Sequence, residues 1–344
     1  MKNQERIFVI GHKNPDTDSI CSAIAYADIK NRTTQNKKYI PKRAGQINEE
    51  TRYVLNRFGV QPPAYLGNIG TQVKDMDIRI SPQADKSMSL KNAWDMMQEN
   101  SIVSLPIRDK DGCLEGLVTI GDIAKTYMDT TDSYLLSNAR TQYQRIAETV
   151  GGEVVEGNSH GYFVKGKVLV GTANPKMMEG YIEENDMIIM GDREEDHLQA
   201  ISQNVSCIIV GLNIVVSEKV VKLAHEKSIV IIRSPYDTFN IARLINQSIP
   251  VNYVMKRDNM VTFNTEDFTD DIQEVMIKNR HRAFPVINPH GKCIGTISRR
   301  NFLDMHKKKV VLVDHNEVDQ AVDNIEKAEI LEIIDHHKLG TLQT

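Results

Sequence analysis

The sequence has no long hydrophobic segment. No uninterrupted apolar run approaches the roughly 18 residues needed to cross a bilayer. Near the N-terminus, the apolar stretch Ile7 to Ile10 gives way at once to glycine, histidine and lysine, which is not the pattern of a signal-peptide core. These absences argue against a membrane span and against a secretory signal. We therefore expect a cytoplasmic protein.

Cysteine is also scarce, and there is no excess of positive charge. Cys21, Cys113, Cys207 and Cys293 are far apart and form no Cys-x-x-Cys pair, so we expect buried thiols rather than a disulfide or thiolate-metal framework. The 42 Lys and Arg residues are outnumbered by 46 Asp and Glu residues, and the net charge is −4. This balance offers no global basic surplus for binding nucleic acid and no charge pattern typical of membrane binding.

The length and composition are those of an ordinary globular protein. With 344 residues, 40% hydrophobic and 26% charged, the chain is long enough for two or three domains. Its first part predicts a strand over 6–10, a helix from about Ser19 to Lys30 capped by Asp18 or Ser19, and a second helix from Asn48 to Arg57. A proline- and glycine-rich stretch over 61–67 is typical of a domain boundary.

An internal repeat relates two parts of the chain at an offset of 179 residues, the separation of Asn100 and Asn279 (279 − 100). Each copy predicts a helix, a strand, a glycine turn, a second strand and a second helix. Chance could supply two or three matching positions, but hardly so many in the same element order. The offset superposes Met97 on Met276, Pro106 on Pro285, Gly112 on Gly291, Gly116 on Gly295, Thr119 on Ser298 and Asp122 on Asn301.

The repeated unit resembles the CBS domain, a small βαββα module that pairs into a nucleotide-binding unit. The resemblance rests on the segment Gly116 to Asp122 and its counterpart Gly295 to Asn301. A hydroxyl at a strand end and the following helix N-terminus can hold a phosphate, and an aspartate in that helix can accept hydrogen bonds from a ribose diol. The resemblance therefore implies regulation by AMP, ADP or ATP. The candidate nucleotide-binding residues are Thr119, Asp122, Ser298, Asn301 and Arg299.

Both copies also have a plainer interpretation, which stays open. Thr119 and Asp122 equally fit a helix N-cap with an acidic residue in the first turn. In the second copy, a cluster of cationic side chains meets either phosphates or solvent. This cluster consists of Arg280, His281, Arg282, Arg299 and Arg300.

Histidines and carboxylates follow three strand-like segments near the two ends of the chain. Ile7 to Ile10 precedes Gly11 to Asp18, Val310 to Val313 precedes Asp314 to Glu317, and Ile330 to Ile334 precedes Asp335 to His337. Without the insert from about 67 to 307, these strands would be parallel neighbours, and the carboxyl edge of such a sheet is where ligands bind. Imidazoles and carboxylates without thiolate suit Mn²⁺, Co²⁺ or Mg²⁺ better than structural zinc.

The sequence therefore predicts a metal centre, although each residue alone also fits a helix cap or a filler of the surface or core. Asp16 and Asp18 alternate, so in an extended loop they can face two adjacent ions. A two-metal centre can activate a bridging water and neutralise charge that develops on a phosphoryl group.

At these residues the chain resembles the family II manganese-dependent inorganic pyrophosphatases of the DHH phosphoesterase superfamily, in particular their CBS-domain-containing subgroup. The resemblance implies hydrolysis of pyrophosphate to two phosphates with two Mn²⁺ ions. It also implies that His337 contacts the substrate phosphate and that Asp335 orients the histidines; His315 is a candidate for orienting Asp314. The metal ligands implied are His12, Asp16 and Asp314 for one ion, and Asp18, Asp314 and His336 for the other.

Residues 130–247 predict a further α/β unit that resembles the DRTGG domain found between two CBS modules in some pyrophosphatases. The likeness rests on Gly191 to Arg193, Tyr236 to Phe239 and Ala242 to Ile245, and it implies a spacer or a dimer contact. The predicted strands are Val168 to Gly171, Met187 to Met190, Cys207 to Val210 and Ile229 to Ile232.

The expected architecture is an α/β fold in which a DHH-type parallel sheet is interrupted by the CBS and DRTGG modules. Pairing of CBS modules also implies a homodimer. The expected domains are a split DHH phosphoesterase domain over 1–66 and 308–344, a CBS domain over 67–129, a DRTGG-like domain over 130–247 and a second CBS domain over 248–307.

One departure from the family pattern leads to a further expectation. The family continues beyond its Asp-His-His motif with another aspartate ligand and a domain that supplies lysines and arginines to the substrate. Residues 338–344 contain one cation and no acid. Because electrostatic clamping dominates phosphoryl transfer, we expect an incomplete active site and a reduced rate.

Two other functions stay open at this point. A DHH phosphoesterase could act on short oligonucleotides or cyclic dinucleotides with the same Asp-His-His chemistry. Alternatively, the chain could be an adenine-nucleotide-sensing module without catalysis.

Overall fold

The computed structural model describes residues 5–128, 132–172, 180–303 and 305–338. Helices and strands alternate along this length around parallel sheets, so the predicted α/β class is confirmed. The predicted domain boundary at residues 129 and 130 lies outside the described residues, as does the tail over 339–344.

The strands, in chain order, are β1 Glu5–Ile10, β2 Lys37–Arg43, β3 Ala64–Tyr65, β4 Ser104–Arg108, β5 Leu114–Thr119, β6 Thr141–Gln142, β7 Glu153–Glu156, β8 Tyr162–Phe163, β9 Val168–Val170, β10 Met187–Met190, β11 Cys207–Val210, β12 Val230–Arg233, β13 Phe263–Asn264, β14 Phe284–Ile287, β15 Cys293–Ile297, β16 Lys309–Val313 and β17 Glu329–Ile334.

The α-helices are α1 Thr17–Thr33, α2 Glu49–Arg57, α3 Leu90–Glu99, α4 Ile120–Met128, α5 Leu135–Asn138, α6 Tyr143–Thr149, α7 Glu194–Ser202, α8 Glu218–Glu226, α9 Thr238–Leu244 and α10 Thr269–Lys278. Short 3-10 helices are formed by Val73–Asp75, Ile245–Ser248, Val251–Tyr253, Arg299–Phe302 and Ile325–Lys327. Within the described ranges, no helix combines the length and the apolar character that a membrane crossing requires.

The chain divides into two compact units. Unit 1 consists of Met1–Arg79, Phe263–Pro289 and Ile297–Thr344, and unit 2 of Ile80–Thr262 and His290–Thr296. All residues proposed above as metal ligands belong to unit 1. The domain limits expected from the sequence stay a prediction.

Unit 1 is built on a sheet in the order β17-β16-β1-β2-β3, in which every neighbouring pair is parallel. The central strands β1 and β16 are apolar over Ile7 to Ile10 and Val310 to Val313, where both faces of the sheet are covered. Helix α1 packs on one face through Ala23 and Ala27, and Ala321, Val322 and Ile325 pack on the other. The carboxyl ends of β1, β16 and β17 therefore meet at one edge, as the sequence predicts.

Helix α1 begins earlier than the sequence predicts. The side chain of Asp16 accepts a hydrogen bond of 3.0 Å from the backbone N–H of Ser19, so Asp16 is the N-cap. The expectation that Asp18 or Ser19 caps this helix is wrong. The physical reason is that Ser19 is fully buried and its hydroxyl accepts a hydrogen bond from the backbone N–H of His12. Helix α2 is capped by Asn48, close to the predicted start.

The predicted repeat is visible in the positions of its elements. Helices α3 and α10 begin 179 residues apart (269 − 90), and so do strands β5 and β15 (293 − 114). The turn glycines Gly112 and Gly291 have φ angles of 87° and 77°, a left-handed conformation that favours glycine. The copies differ at their ends, because α4 is a regular α-helix whereas Arg299–Phe302 is a single 3-10 turn.

Unit 2 contains a second sheet in the order β7-β12-β11-β10-β9. Strands β9 to β12 are parallel, whereas β7 joins β12 in the antiparallel sense. All four strands predicted for the segment 130–247 are present, with limits that agree to within a residue. Strands β10 and β11 are buried throughout, which is why their sequences are continuously apolar.

All four cysteines are free thiols, as expected. Cys207 and Cys293 are buried, whereas Cys21 and Cys113 are only partly buried. Burial raises the pKa of the Cys293 thiol, although the positive charge of Arg108 opposes this effect. The neutral thiol is therefore favoured at this site.

Replacement of Gly11 by alanine should destabilise unit 1. A Cβ atom at position 11 would lie 1.9 Å from the Ser19 hydroxyl, and Ser19 is fixed on the buried side of α1. We expect Gly11→Ala to lower the free energy of unfolding by about 1–3 kcal/mol, measured by urea denaturation. In a Ser19→Ala background the hydroxyl is gone and the same change should cost less. An equal cost in both backgrounds would contradict this account.

Candidate metal centre

The three motifs that follow β1, β16 and β17 converge at the carboxyl edge of the unit 1 sheet. Two groups of side chains there bring ligand atoms within 4.8 Å of one another. The buried carboxylate of Asp314 belongs to both groups. The first group is His12, Asp16 and Asp314, and the second is Asp314, His336 and His337.

The first group matches the ligand set expected for one ion. His12 Nε2 lies 3.3 Å from Asp314 Oδ2 and 3.9 Å from Asp16 Oδ1. The loop that carries His12 is held by the hydrogen bond from its backbone N–H to Ser19 and by one from Lys13 N–H to the carbonyl of Gln320. The structure thus brings these three side chains together, and their role as ligands stays a prediction.

The second group differs in part from the expected set of Asp18, Asp314 and His336. His337 Nδ1 lies 3.9 Å from Asp314 Oδ1, so His337 takes part in the group. Asp18 lies beside it, with Oδ2 4.0 Å from Nδ1 of His336. The rings of His336 and His337 are adjacent, with centroids 4.2 Å apart. All the predicted ligands are therefore neighbours. His337, which the resemblance assigns to the substrate phosphate, also lies beside Asp314.

The backbone of Asp314 is in an uncommon conformation. Its φ of 60° lies in the left-handed region, which non-glycine residues seldom adopt, although aspartate tolerates it better than most. Its N–H donates a hydrogen bond of 2.9 Å to the carbonyl of Ile334 on β17. This contact ties the turn after β16 to the strand that leads into Asp335. Such conformations cluster at functional sites, where the surrounding structure maintains them.

Electrostatics around Asp314 favour a bound cation. Burial raises the pKa of its carboxyl group, and the carboxylates of Asp18 and Asp16 raise it further, while His12 and His337 oppose the shift. Among the described residues, no lysine or arginine forms an ion pair with these three carboxylates. A cluster of carboxylates and imidazoles without thiolate fits a divalent ion such as Mn²⁺ or Co²⁺.

Asp335 contacts His337, and the orienting role that the resemblance implies for it stays a prediction. Its nearly buried carboxylate accepts a hydrogen bond of 2.7 Å from His337 Nδ1 and another from the side-chain amide of Asn316. Burial would raise the pKa of Asp335, but the hydrogen bonds from His337 and Asn316 outweigh it and lower the pKa. The hydrogen bond to Asp335 likewise raises the pKa of His337. Because Nδ1 is engaged, Nε2 of His337 is left for other contacts.

The structure gives Asn316 and His315 more definite surroundings than the sequence does. Asn316 holds both Asp335 and the carbonyl of Lys338, the latter at 3.0 Å. Nδ1 of His315 lies 2.9 Å from the carbonyl of Val313, and the ring is almost fully buried. Burial lowers the pKa of His315, which favours the neutral ring. The sequence feature that could have identified both residues is their position directly after the end of a buried strand.

Two cavities adjoin the metal centre on either side of Asp314. One, of about 340 Å³, lies beside Asp18, Tyr26 and His336. The other, of about 650 Å³, extends from His12 to Glu317 and Asp319. The larger cavity is also lined by two lysines, Lys13 and Lys338, which sequence reasoning did not single out. Neither lysine stands out in the sequence, because a lone lysine in a loop has no distinguishing pattern.

The candidate nucleotide-binding residues of the first repeat cap α4. Asp122 Oδ2 accepts hydrogen bonds from the backbone N–H and the hydroxyl of Thr119, at 2.9 and 2.6 Å, and Thr119 caps Asp122 in return. The other carboxylate oxygen, Oδ1, lies 3.1 Å from Nζ of Lys256. The N-cap interpretation thus describes the contacts seen here, and a ligand-binding role stays a prediction.

The second repeat shows the same capping pattern without the charge. Asn301 Oδ1 accepts hydrogen bonds from the backbone N–H and hydroxyl of Ser298, at 2.7 and 2.9 Å. Arg299 donates to backbone carbonyls at and just beyond the C-terminal end of α10, which are those of Met276, Asn279 and His281. This guanidinium therefore stabilises a helix end in the structure, and its role toward a nucleotide stays a prediction.

Comparison with known proteins places these observations in a family. The family model described as the DRTGG domain matches residues 145–248, and the model described as the CBS domain matches residues 73–129 and 251–308. The crystal structure of the CBS and DRTGG domains of the regulatory region of Clostridium perfringens pyrophosphatase, complexed with the activator diadenosine tetraphosphate, is 33% identical with a TM-score of 0.63. It covers 67% of this chain, which in turn covers all of that structure.

Two curated relatives match almost the whole chain. A cobalt-dependent inorganic pyrophosphatase of Clostridium perfringens is 40% identical over 98% of the chain, and a probable manganese-dependent inorganic pyrophosphatase of Thermotoga maritima is 36% identical over all of it. The chain spans 61% and 62% of the lengths of these two relatives. The chain belongs to the family of inorganic pyrophosphatases whose regulatory region consists of CBS and DRTGG domains. The predicted family is confirmed.

Replacement of Asp16 by asparagine should separate metal binding from folding. Asparagine caps helices about as well as aspartate, so the hydrogen bond to Ser19 N–H can persist and the free energy of unfolding should change by less than about 0.5 kcal/mol. The loss of a carboxylate from the first donor group should weaken Mn²⁺ binding by about tenfold or more, measured by calorimetry. The control is Asp28→Asn, which removes an exposed carboxylate of α1 that pairs with Arg32. Unchanged Mn²⁺ affinity in Asp16→Asn would exclude Asp16 as a ligand.

Proposed function

We propose that this protein is an inorganic pyrophosphatase that hydrolyses pyrophosphate to two phosphates. The observation that carries the proposal is the pair of donor groups that share Asp314 at one sheet edge. Family membership supports it, because both curated relatives are named as inorganic pyrophosphatases, one cobalt-dependent and one probably manganese-dependent. The proposed cofactor is accordingly a pair of Mn²⁺ or Co²⁺ ions, with Mg²⁺ as a further candidate.

The side chains around Asp314 would hold two ions. The proposed ligands are His12, Asp16, Asp18, Asp314 and His336. When bound, two divalent ions supply Lewis acidity toward water and toward the phosphoryl oxygens. The protein contributes the placement of the ligands, because His12, Asp314 and His336 each follow a different strand of one sheet.

The substrate would lie in the larger cavity, in contact with residues of this chain. Lys13 and Lys338 line that cavity and can each donate to the oxygens of a phosphate. His337 is held by Asp335 through Nδ1, and the raised pKa of its ring favours a proton on Nε2 as well. That proton can be donated in a hydrogen bond to a phosphate oxygen, which is the role the family resemblance implies for His337.

We further propose that adenine nucleotides (AMP, ADP or ATP) regulate the enzyme at the CBS modules. The matches to the CBS domain support this, and so does the solved relative, which is complexed with an activator that contains adenosine. The proposed contacts are those of Thr119, Asp122, Ser298, Asn301 and Arg299. The homodimer through CBS modules, the cytoplasmic location and the domain limits stay predictions.

The catalytic proposal is tested by phosphate release from pyrophosphate in the presence of Mn²⁺ or Co²⁺. Asp314→Asn removes the carboxylate common to both donor groups, so it should lower the rate at least about a hundredfold. Asp28→Asn is the matched control and should retain the rate. The decisive quantity is the ratio between the variants and not the absolute rate.

A parallel assay that follows nucleotide products tests the rival substrates, because hydrolysis of a phosphodiester bond releases no free phosphate. Hydrolysis of a cyclic dinucleotide or a short oligonucleotide in preference to pyrophosphate would favour the broader DHH phosphoesterase activity. Phosphate release that is no faster with the unaltered chain than with Asp314→Asn would contradict the catalytic proposal for this chain. A purely nucleotide-sensing role would then be the remaining function.

The nucleotide proposal is tested by calorimetry with AMP. Asn301 shows that asparagine can keep the capping hydrogen bonds at this position of the repeat, so Asp122→Asn should fold normally. It removes a charged acceptor, and hydrogen bonds to charged groups contribute about 1.5–3 kcal/mol, so AMP should bind at least about tenfold more weakly. The control is Asp95→Asn on α3, where the carboxylate pairs with Lys91. Equal AMP affinities of the two variants would show that Asp122 does not contribute to nucleotide binding.

A further inference from the structure

The strand that carries the Asp-His-His motif has little to hold it in place. Within the described sheet, β17 is an edge strand and pairs with β16 alone. Its side chains are only partly buried, whereas those of β16 and β1 are largely inaccessible. The positions of Asp335, His336 and His337 therefore depend on contacts that β17 makes outside the backbone ladder.

A β-bulge in β17 directs one charged side chain toward α1. The pairing shifts between Val310, which faces Ile330, and Val311, which faces Glu332, so Leu331 is the extra residue. Leu331 packs with the cluster that contains α1, whereas Ile330 and Ile333 pack on the opposite face. Simple alternation from Ile330 would turn Glu332 toward that opposite, apolar face, and the bulge removes this conflict.

Glu332 meets two side chains of α1. Its carboxylate accepts hydrogen bonds from the hydroxyl of Tyr26 and from Nζ of Lys30, the latter at 2.8 Å. Lys30 also lies 5.3 and 5.8 Å from the ring centroids of Tyr26 and Tyr39. The hydrogen bonds to Glu332 and Tyr26 raise the pKa of Lys30, so the ammonium stays charged. We call Glu332, Tyr26 and Lys30 the Glu332 cluster.

The Glu332 cluster lies on the same stripe of α1 as a proposed metal ligand. Residues 18, 22, 26 and 30 are spaced four apart, which places them along one side of the helix. At the N-terminal end of this stripe, Asp18 accepts a hydrogen bond of 2.9 Å from the Ser22 hydroxyl, and its Oδ2 lies 4.0 Å from Nδ1 of His336. Toward the C-terminal end of the stripe, Tyr26 and Lys30 donate hydrogen bonds to Glu332. Helix α1 and strand β17 thus touch at two levels.

The distance between these two contacts is about the same along α1 as along the segment that contains β17. From Asp18 to Tyr26 the helix rises by eight residues, about 12 Å at 1.5 Å per residue. From Glu332 to His336 the chain advances by four residues, the last two beyond the end of β17, and at 3.3 Å per residue an extended chain of this length spans about 13 Å. Contact between Tyr26 and Glu332 therefore sets Asp18 level with His336 without strain in either element.

We propose that the Glu332 cluster positions β17 against α1 and thereby sets the spacing between Asp18 and His336. We expect its effect to fall on the ion held by Asp18 and His336, because His12 and Asp16 are placed by β1 and by the start of α1, which do not depend on β17. The Glu332 cluster touches no ligand atom, so its residues act as positioning residues. This inference rests on the proposed metal centre but not on the identity of the substrate.

The test is a Mn²⁺ titration of the chain by calorimetry, in the absence of substrate. Glu332→Gln keeps the shape of the side chain and weakens its bonds to Tyr26 and Lys30. We expect the ion held by Asp18 and His336 to bind about tenfold more weakly and the other ion to keep its affinity, which is the size of effect seen for residues that support ligands. Tyr26→Phe should act in the same direction and removes one hydroxyl only.

Two backgrounds identify which ion is affected. With His336→Ala present, Glu332→Gln should have no further effect on Mn²⁺ binding, because the group it positions is already broken. With Asp16→Asn present, Glu332→Gln should keep its full effect. The matched control is Glu329→Gln, which removes a carboxylate from the same strand that pairs with Lys309 at 3.7 Å and not with α1.

Several results would overturn the proposal. These are an unchanged affinity for both ions in Glu332→Gln and Tyr26→Phe, an equal loss for both ions, or an effect that persists in the His336→Ala background. If Glu332→Gln does not fold, the milder Tyr26→Phe decides by the same criteria. If the unaltered chain binds no Mn²⁺, the metal centre itself is wrong and this inference falls with it.

Discussion

The proposed metal centre depends on one buried group, the carboxylate of Asp314. It belongs to both donor groups and follows β16, the strand that lies between β1 and β17. Burial next to Asp16 and Asp18 makes its ionised form costly, as the raised pKa shows. A divalent ion on each side would offset this cost, so metal binding and the stability of this sheet edge are coupled.

Local patterns were enough to predict much of the fold and the composition of the site. Strands β10 and β11 and the later residues of β1 and β16 are buried on both faces, so these stretches are continuously apolar and their ends are easy to recognise. The offset of 179 residues locates the repeated helices, strands and turn glycines, because both copies solve the same packing problem. The ligand candidates could be named for the same reason, since each follows a recognisable strand end.

Contacts between residues far apart in the chain could not be predicted. Asp122 and Lys256 are separated by 134 positions (256 − 122), and no local pattern links them. The sequence predicts that Arg299 contacts a phosphate, yet its guanidinium donates hydrogen bonds to backbone carbonyls at and just beyond the end of α10. The choice of Asp16 as the cap of α1 depends on the burial of Ser19, which is a property of the packed helix. The bulge at Leu331 likewise follows from tertiary packing, because alternation alone would misplace Glu332.

Helix α1 combines the demands of folding and of the metal centre. Asp16 caps its first turn and also faces His12, while Asp18 stands in that turn and faces His336. The partial positive charge at a helix N-terminus stabilises such carboxylates by about 0.3–1 kcal/mol each, which lessens their mutual repulsion before any ion binds. The same helix fixes β17 through Glu332. The geometry of the second donor group is therefore a consequence of how α1 packs on the sheet, and a change in that packing would be transmitted to the Asp-His-His motif.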